Sequence, residues 1–221
     1  MAKLVIFDLD GTLLDTLGDL CEACNHALGQ CGFPARDKEE YRYLVGRGVA
    51  NLCRGALPEG MRSDGMTERM LEHFFAYYNA HSCDLTVPYP GIPELLDNLT
   101  AAGIRIAIAS NKYQEGTEQL VRQFFGAYEF CAILGQREGK PIKPDAGIIF
   151  EAIGRCDGVS GEDVYYCGDS NVDMETGRNA GVKTIGVTWG FRDRDELEAY
   201  DPWLIAGNPG QIFDAVAGSS K

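Results

Sequence analysis

Short apolar runs alternate with helical stretches along most of this chain. Strand-length runs rich in Val, Ile, Leu or aromatic residues lie at Lys3–Phe7, Ile104–Ala109, Phe130–Leu134, Asp163–Cys167 and Lys183–Val187. Those residue types suit a pleated, buried surface. Helix-like segments fall between them, at about 92–102, 114–125, 145–155 and 171–180. This alternation predicts an α/β fold, a doubly wound and mainly parallel sheet covered on both faces. Gly103 and Gly181, each just ahead of a strand, suit helix C-caps. A late short strand around Trp203–Ile205 and a helix from Pro209 complete the expected core, and the tail Gly218-Ser219-Ser220-Lys221 is expected to fray.

The pattern breaks once. Residues 16 to about 84 hold no clear strand but carry helical patterns at roughly 16–30, 37–56 and 64–81. The last of these places Met66, Met70, Leu71, Phe74, Phe75 and Tyr78 on a broad apolar face. A small α-helical domain inserted after the first strand is therefore expected, with 1–15 and 86–221 forming the α/β core and 16–85 the insert. Its hinges are expected at Asp15–Leu17 and Ser82–Gly91, where Pro88, Pro90 and Gly91 interrupt helix.

Composition narrows the partners. The 221 residues are 45% hydrophobic and 24% charged, as in ordinary globular proteins, with a net charge of −13. That balance argues against nucleic acid or an anionic membrane surface as partner. No apolar run approaches membrane-spanning length, and Met1-Ala2-Lys3-Leu4 leads into a strand with no signal-like segment. Eight irregularly spaced cysteines fit a reduced, cytoplasmic setting better than a disulfide framework. Cys21 and Cys24 form Cys-x-x-Cys near His26, but they share a helical stripe with Leu17 and Leu28, so core packing is preferred over zinc. The chain is expected to act as a monomer or homodimer.

The densest chemistry is Asp8-Leu9-Asp10-Gly11-Thr12, directly after the first apolar run. With side chains alternating along a strand, the two carboxylates start out on one face. Their repulsion is roughly 4 kcal/mol at ~4 Å and an effective dielectric near 20, which a chain tolerates where a cation or a reaction uses it. Gly11 permits a sharp turn and close approach of its N–H to a ligand, and Thr12 adds a hydroxyl. Three more polar clusters follow strands: Ser110-Asn111, then Lys143 before Pro144, then Gly168-Asp169-Ser170 with Asp173. In an open parallel sheet the carboxyl ends of the strands share one edge, where ligands bind. Asp8, Asp10, Ser110, Lys143, Asp169 and Asp173 are thus expected to meet. Taken singly, Ser110 and Ser170 could be helix caps, Lys143 a solvated loop residue, and Asp169 and Asp173 acids near a helix start.

The combination resembles the haloacid dehalogenase-like hydrolase superfamily over nearly the whole length. Asp8-Leu9-Asp10-Gly11-Thr12 matches its first motif, Ser110 the second, Lys143 the third, and Gly168-Asp169-Ser170 through Asp173 the fourth. The helical insert looks like the small cap of the first type in that superfamily. Ser110-Asn111-Lys112 and Val45-Gly46-Arg47-Gly48 look like the phosphoglycolate phosphatase branch. The resemblance implies Asp8 as nucleophile, forming an aspartyl-phosphate, and Asp10 as acid and then base. It implies Mg²⁺ held by Asp8, the Asp10 carbonyl and Asp169, with Asp173 orienting that shell. Ser110 and the backbone N–H groups of Gly11 and Asn111 would hold the phosphoryl oxygens. Lys143 would neutralise nucleophile and phosphate, so four aspartates would meet one motif lysine. Arg47, between two glycines, is a candidate grip on a substrate carboxylate.

The implied activity is Mg²⁺-dependent hydrolysis of a small phosphorylated metabolite. A phosphomutase of the β-phosphoglucomutase kind and a pyrophosphatase stay open, although Thr12 favours hydrolysis. Asp10 argues against a dehalogenase. Phosphonate hydrolases use a cap lysine, and Lys38 is the insert's sole lysine; their first motif also usually differs at the Asp10 position. A non-catalytic phosphate-binding protein on the same scaffold is the alternative from another class.

Overall fold

A computed structural model describes residues 2–218; the expected fraying of 219–221 lies outside those residues. The strands are β1 (Ala2–Phe7), β2 (Leu14–Asp15), β3 (Val87–Pro88), β4 (Arg105–Tyr113), β5 (Ala132–Gln136), β6 (Val159–Gly168), β7 (Lys183–Val187) and β8 (Leu204–Ala206). The helices are α1 (Leu17–Gln30), α2 (Lys38–Arg42), α3 (Val49–Ala56), α4 (Asp64–His81), α5 (Ile92–Ala101), α6 (Gln114–Phe125), α7 (Gly147–Arg155), α8 (Asn171–Ala180), α9 (Arg194–Glu198) and α10 (Pro209–Gly218).

The main sheet runs β5-β4-β1-β6-β7-β8 with every pairing parallel. Chain order therefore reverses on either side of β1, and the crevice that such a reversal opens lies at its carboxyl end. β1 is apolar throughout because both of its faces are covered. Val5 and Phe7 join a core cluster with Leu96, Leu99 and Val121, while Leu4 and Ile6 face the opposite way onto Ile149 and Ala152.

The helical unit formed by α1–α4 has a core of its own, built from Leu20, Cys24, Leu28, Tyr41, Phe74 and Tyr78 among others. Cys21 and Cys24 are both buried in it, as packing residues. Ser63 caps α4, its hydroxyl accepting from the Met66 N–H. The pattern predicted one helix over 37–56, but there are two. Between them Gly46 and Gly48 take φ of +113° and +82°, a conformation that glycine adopts without strain and that ends a helix.

Three other features differ from expectation. β4 runs on through Ser110-Asn111-Lys112 to Tyr113, so Ser110 is a strand residue and not a helix cap. The two connections of the helical unit, β2 and β3, pair antiparallel with each other. Cys131 and Cys156 are disulfide-bonded, which overturns the all-reduced reading for that pair, while six cysteines are free. No helix among the described residues is long and apolar enough to cross a membrane.

Asp19, in the first turn of α1, holds the returning connection in place. Its buried carboxylate accepts from the Leu85 N–H at 2.9 Å, the Thr86 N–H at 2.9 Å and the Thr86 hydroxyl at 2.6 Å. Asp19→Ala strands those donors and is expected to lower the unfolding free energy by about 2 kcal/mol or more, read by urea denaturation.

Candidate active site

The expected residues meet at the carboxyl edge of β1, β4 and β6. After β1 the chain curls on itself: Asp8 still donates its N–H to the Cys167 carbonyl at 2.8 Å, then the Leu9 carbonyl accepts from Leu13 and Leu14 at 3.0 Å each. Gly11, at φ +83°, lies flat against Asp169, and a Cβ there would collide with that carboxylate. Only glycine allows the first-motif backbone to come so near the acid at the end of β6. The Thr12 hydroxyl, also buried, stands 3.5 Å from Asp169 Oδ1.

Ser170 caps α8 in a capping box with Asp173. The box leaves Asp173 saturated. Its Oδ1 accepts from Lys143 Nζ at 2.7 Å and from the Tyr166 hydroxyl at 2.7 Å, and its Oδ2 from the Ser170 N–H at 3.1 Å and hydroxyl at 2.6 Å. Burial alone would raise the pKa of Asp173, but Lys143 and these donors hold it below the ordinary carboxylate value. Burial likewise works against a charge on Lys143, and Asp173 and Asp8 outweigh it to raise the ammonium above its usual range.

Asp8 and Asp169 are far less settled. Asp8 Oδ1 lies 3.0 Å from Lys143 Nζ as an ion pair, yet it is buried and accepts no hydrogen bond. Burial, opposed chiefly by Lys143, pushes the Asp8 pKa up to about 6. Asp169 Oδ2 accepts from the Phe191 N–H at 2.7 Å, but burial followed by repulsion from Asp173 and Asp8 pushes its pKa up to about 8. One oxygen from each of Asp8, Asp169 and Asp173 lies within 4.8 Å of the others. A buried set of hard carboxylate oxygens, one of them without a hydrogen bond, fits a divalent cation such as Mg²⁺.

Asn111 uses its whole amide. Its Oδ1 accepts from the Lys143 N–H at 2.8 Å, and its Nδ2 donates to the Lys143 carbonyl at 3.1 Å and the Gly46 carbonyl at 2.9 Å. Ser110 and Asn111 lie where β4 slips in register against β5, between Ala109 and Tyr113, which takes them out of the regular ladder. A cavity of about 40 Å³ adjoins Asp8 and Asp10 and is walled on the helical side by Val45, Gly48, Phe74 and Tyr78. Arg47 is exposed and does not line it.

The charge count from sequence lacked a second buried lysine. Lys112 Nζ lies 3.3 Å from Asp10 Oδ1, donates to the Tyr78 hydroxyl at 2.7 Å, and faces the same cavity. Two residues beyond Ser110 on one strand, it shares the Ser110 face; extending the strand past the apolar run would have found it. Tyr166, which bridges Lys143 and Asp173, was also missed, since it reads as one more aromatic core position of β6.

Comparison with known proteins agrees with this geometry. A model of the haloacid dehalogenase-like hydrolases matches residues 5–187. The chain is similar to the phosphoglycolate phosphatase of Mesorhizobium japonicum, at 32% identity over 215 residues covering 96% of this chain and 92% of the relative. The phosphoglycolate phosphatase of Agrobacterium fabrum is 34% identical over 200 residues, covering 90% and 85%. The crystal structure of a protein assigned as a phosphoglycolate phosphatase in Lactobacillus delbrueckii subsp. bulgaricus superposes with a TM-score of 0.88 at 31% identity, covering 97% of this chain and 98% of that one.

The raised acids set a pH dependence. Between the ordinary carboxylate value of 3.8 and about 6 to 8, native Asp8 and Asp169 bind more protons than the unfolded chain does. Their contribution to the stability of metal-stripped protein is thus full at acid pH and lost as pH rises through that window. A cation competing with those protons should raise the melting temperature more at pH 8 than at pH 5.5. Melts in EDTA and in millimolar Mg²⁺ at both pH values check this; an equal shift at the two would contradict it.

Proposed function

The chain belongs to the haloacid dehalogenase-like hydrolase family, as an enzyme of the phosphatase type, and we propose that it hydrolyses a small, acidic phosphate monoester such as phosphoglycolate through an aspartyl-phosphate. The observation that carries this reading is the buried Asp8 carboxylate, which lines the cavity, pairs with Lys143 at 3.0 Å and keeps one oxygen without a hydrogen bond.

In this reading Asp8 attacks phosphorus through a carboxylate oxygen, the P–O bond to the alcohol breaks, and Asp10 gives the leaving oxygen its proton. Asp10 then takes a proton from the water that attacks the acyl phosphate at phosphorus; the bond from Asp8 to phosphorus breaks, inorganic phosphate leaves, and Asp8 returns to its carboxylate form. Asp8, the Asp10 backbone carbonyl and Asp169 would hold Mg²⁺, and Asp173 would orient them from its saturated position. When bound, the ion supplies positive charge against the phosphoryl oxygens. Lys143 offsets charge on Asp8 and phosphate, while Ser110 and the Asn111 N–H direct donors at the phosphoryl group; the Gly11 N–H, expected to join them, is instead bonded to the Leu14 carbonyl at 2.8 Å.

Steady hydrolysis of p-nitrophenyl phosphate that depends on Mg²⁺, and its loss in Asp8→Asn, test the reaction. Turnover retained by that variant would remove Asp8 as nucleophile.

Substrate acidity rests on Lys112. It is a buried cation that lines the cavity, where it would meet a carboxylate on a small ester. Arg47 is exposed and does not line the cavity, and in this reading Lys112 takes the role expected of it. Lys112→Met is expected to lower kcat/KM for phosphoglycolate by about tenfold or more beyond its effect on ethyl phosphate, which lacks the carboxylate, the size of one charged hydrogen bond. Equal losses for the two esters would show that Lys112 serves Asp10 alone. The phosphoglycolate phosphatase names of the relatives support the same substrate class. A cytoplasmic setting is part of the proposal and draws on the six free cysteines, with the Cys131–Cys156 bridge as the exception.

A further inference from the structure

The loop after β7, Trp189-Gly190-Phe191-Arg192, touches both the acidic site and the helical unit. Trp189 Nε1 donates to the Thr12 carbonyl at 3.0 Å. Gly190 is packed so tightly that a Cβ would strike both Asp169 and the Gly11 carbonyl. The Phe191 N–H donates to Asp169 Oδ2 at 2.7 Å, while the Phe191 side chain, 4% exposed, belongs to the hydrophobic core of the helical unit. Arg192 follows directly and is itself buried.

The Arg192 guanidinium forks onto the chain of the helical unit just past α2. Nη1 donates to the Arg42 carbonyl, and Nη2 to the Tyr43 carbonyl at 3.2 Å and the Val45 carbonyl at 2.9 Å. The first two are carbonyls that the end of α2 leaves without helical partners. The same guanidinium lies 5.4 Å from the Tyr43 ring centroid, and its Nε pairs with Glu196 at 3.5 Å. Just beyond, Gly46 and Gly48 wall the cavity, and Gly46 is also gripped by Asn111. One short loop thus fixes a carboxylate of the acidic site at one residue and the wall of the substrate cavity at the next.

We propose that Phe191 and Arg192 form a clasp that seats the helical unit over the cavity and ties that seat to the position of Asp169. Arg192 is then a positioning residue, acting on substrate only through residues 42–48. The planar fork is what the role requires. Lysine keeps the charge but cannot reach several carbonyls in one plane.

A weaker clasp lowers the fraction of molecules with a formed cavity wall, and apparent affinity falls with that fraction while saturating substrate restores the seat. Arg192→Gln is therefore expected to raise KM for p-nitrophenyl phosphate by about tenfold with kcat within about twofold of the parent. Arg192→Lys should fall between the two. Hydrogen exchange without substrate should accelerate at amides of residues 42–48 in Arg192→Gln and stay unchanged in β1 and β6. That measurement does not depend on what the enzyme hydrolyses, so it separates failure of the clasp from failure of the phosphatase reading. Unchanged KM with unchanged exchange, or a fall in kcat at constant KM, overturns the proposal. Should Arg192→Gln fail to fold, Arg192→Lys carries the same test: a raised KM supports the clasp and a parental KM overturns it.

Discussion

The structure depends on holding several negative charges at one buried sheet edge. Asp8, Asp10, Asp169 and Asp173 converge there because two neighbouring strands end together, and Lys112 and Lys143 oppose them from β4 and the loop beyond β5. The cancellation is uneven. Asp173 has four donors, one of them the Lys143 ammonium, so its charge is settled within the protein. Asp8 and Asp169 lack comparable partners and drift towards protonation. The site thus splits into a finished half that gives rigidity and an unfinished half that a cation and a phosphoryl group complete.

The helical unit meets this edge through a few polar handles and two aromatic side chains, Phe191 and Tyr113. Its hydrophobic core is otherwise drawn from its own helices and connecting loops. Asn111 holds Gly46, Tyr78 meets Lys112, and Arg192 holds the chain after α2. Each handle on the sheet side also touches a site residue or its neighbour, so the unit cannot shift without disturbing Lys143, Asp10 or the loop that holds Asp169. Contacts of this kind are exchanged for water at little net cost, unlike a shared apolar interface.

Much of this was legible in the chain. The five apolar runs mark five of the six strands of the main sheet because both faces of each are buried, and the fourfold recurrence of polar residues after strands locates the acidic edge. Lys112 escaped because β4 carries polar residues beyond its apolar run, where periodicity is silent. β2 and β3 are two residues each, too short to leave a pattern. The break at Gly46 and Gly48 was hidden inside a sequence that otherwise reads as helix. Cys131 and Cys156 are 25 residues apart, and spacing does not encode pairing. Arg192 binds backbone carbonyls, which every residue offers alike, so nothing in its neighbours announces it.

The ribbon formed by β2 and β3 has one more consequence. The chain departs the α/β scaffold and comes back to it through two paired segments, about 5 Å apart as any bonded strands are. An excursion stitched shut at its base imposes no demand on the length or architecture of what lies outside the stitch. The scaffold can therefore accept a different module at this point, larger or smaller, without β1 or β4 moving, and chemistry at the base stays constant while the exchangeable part decides which molecules reach it.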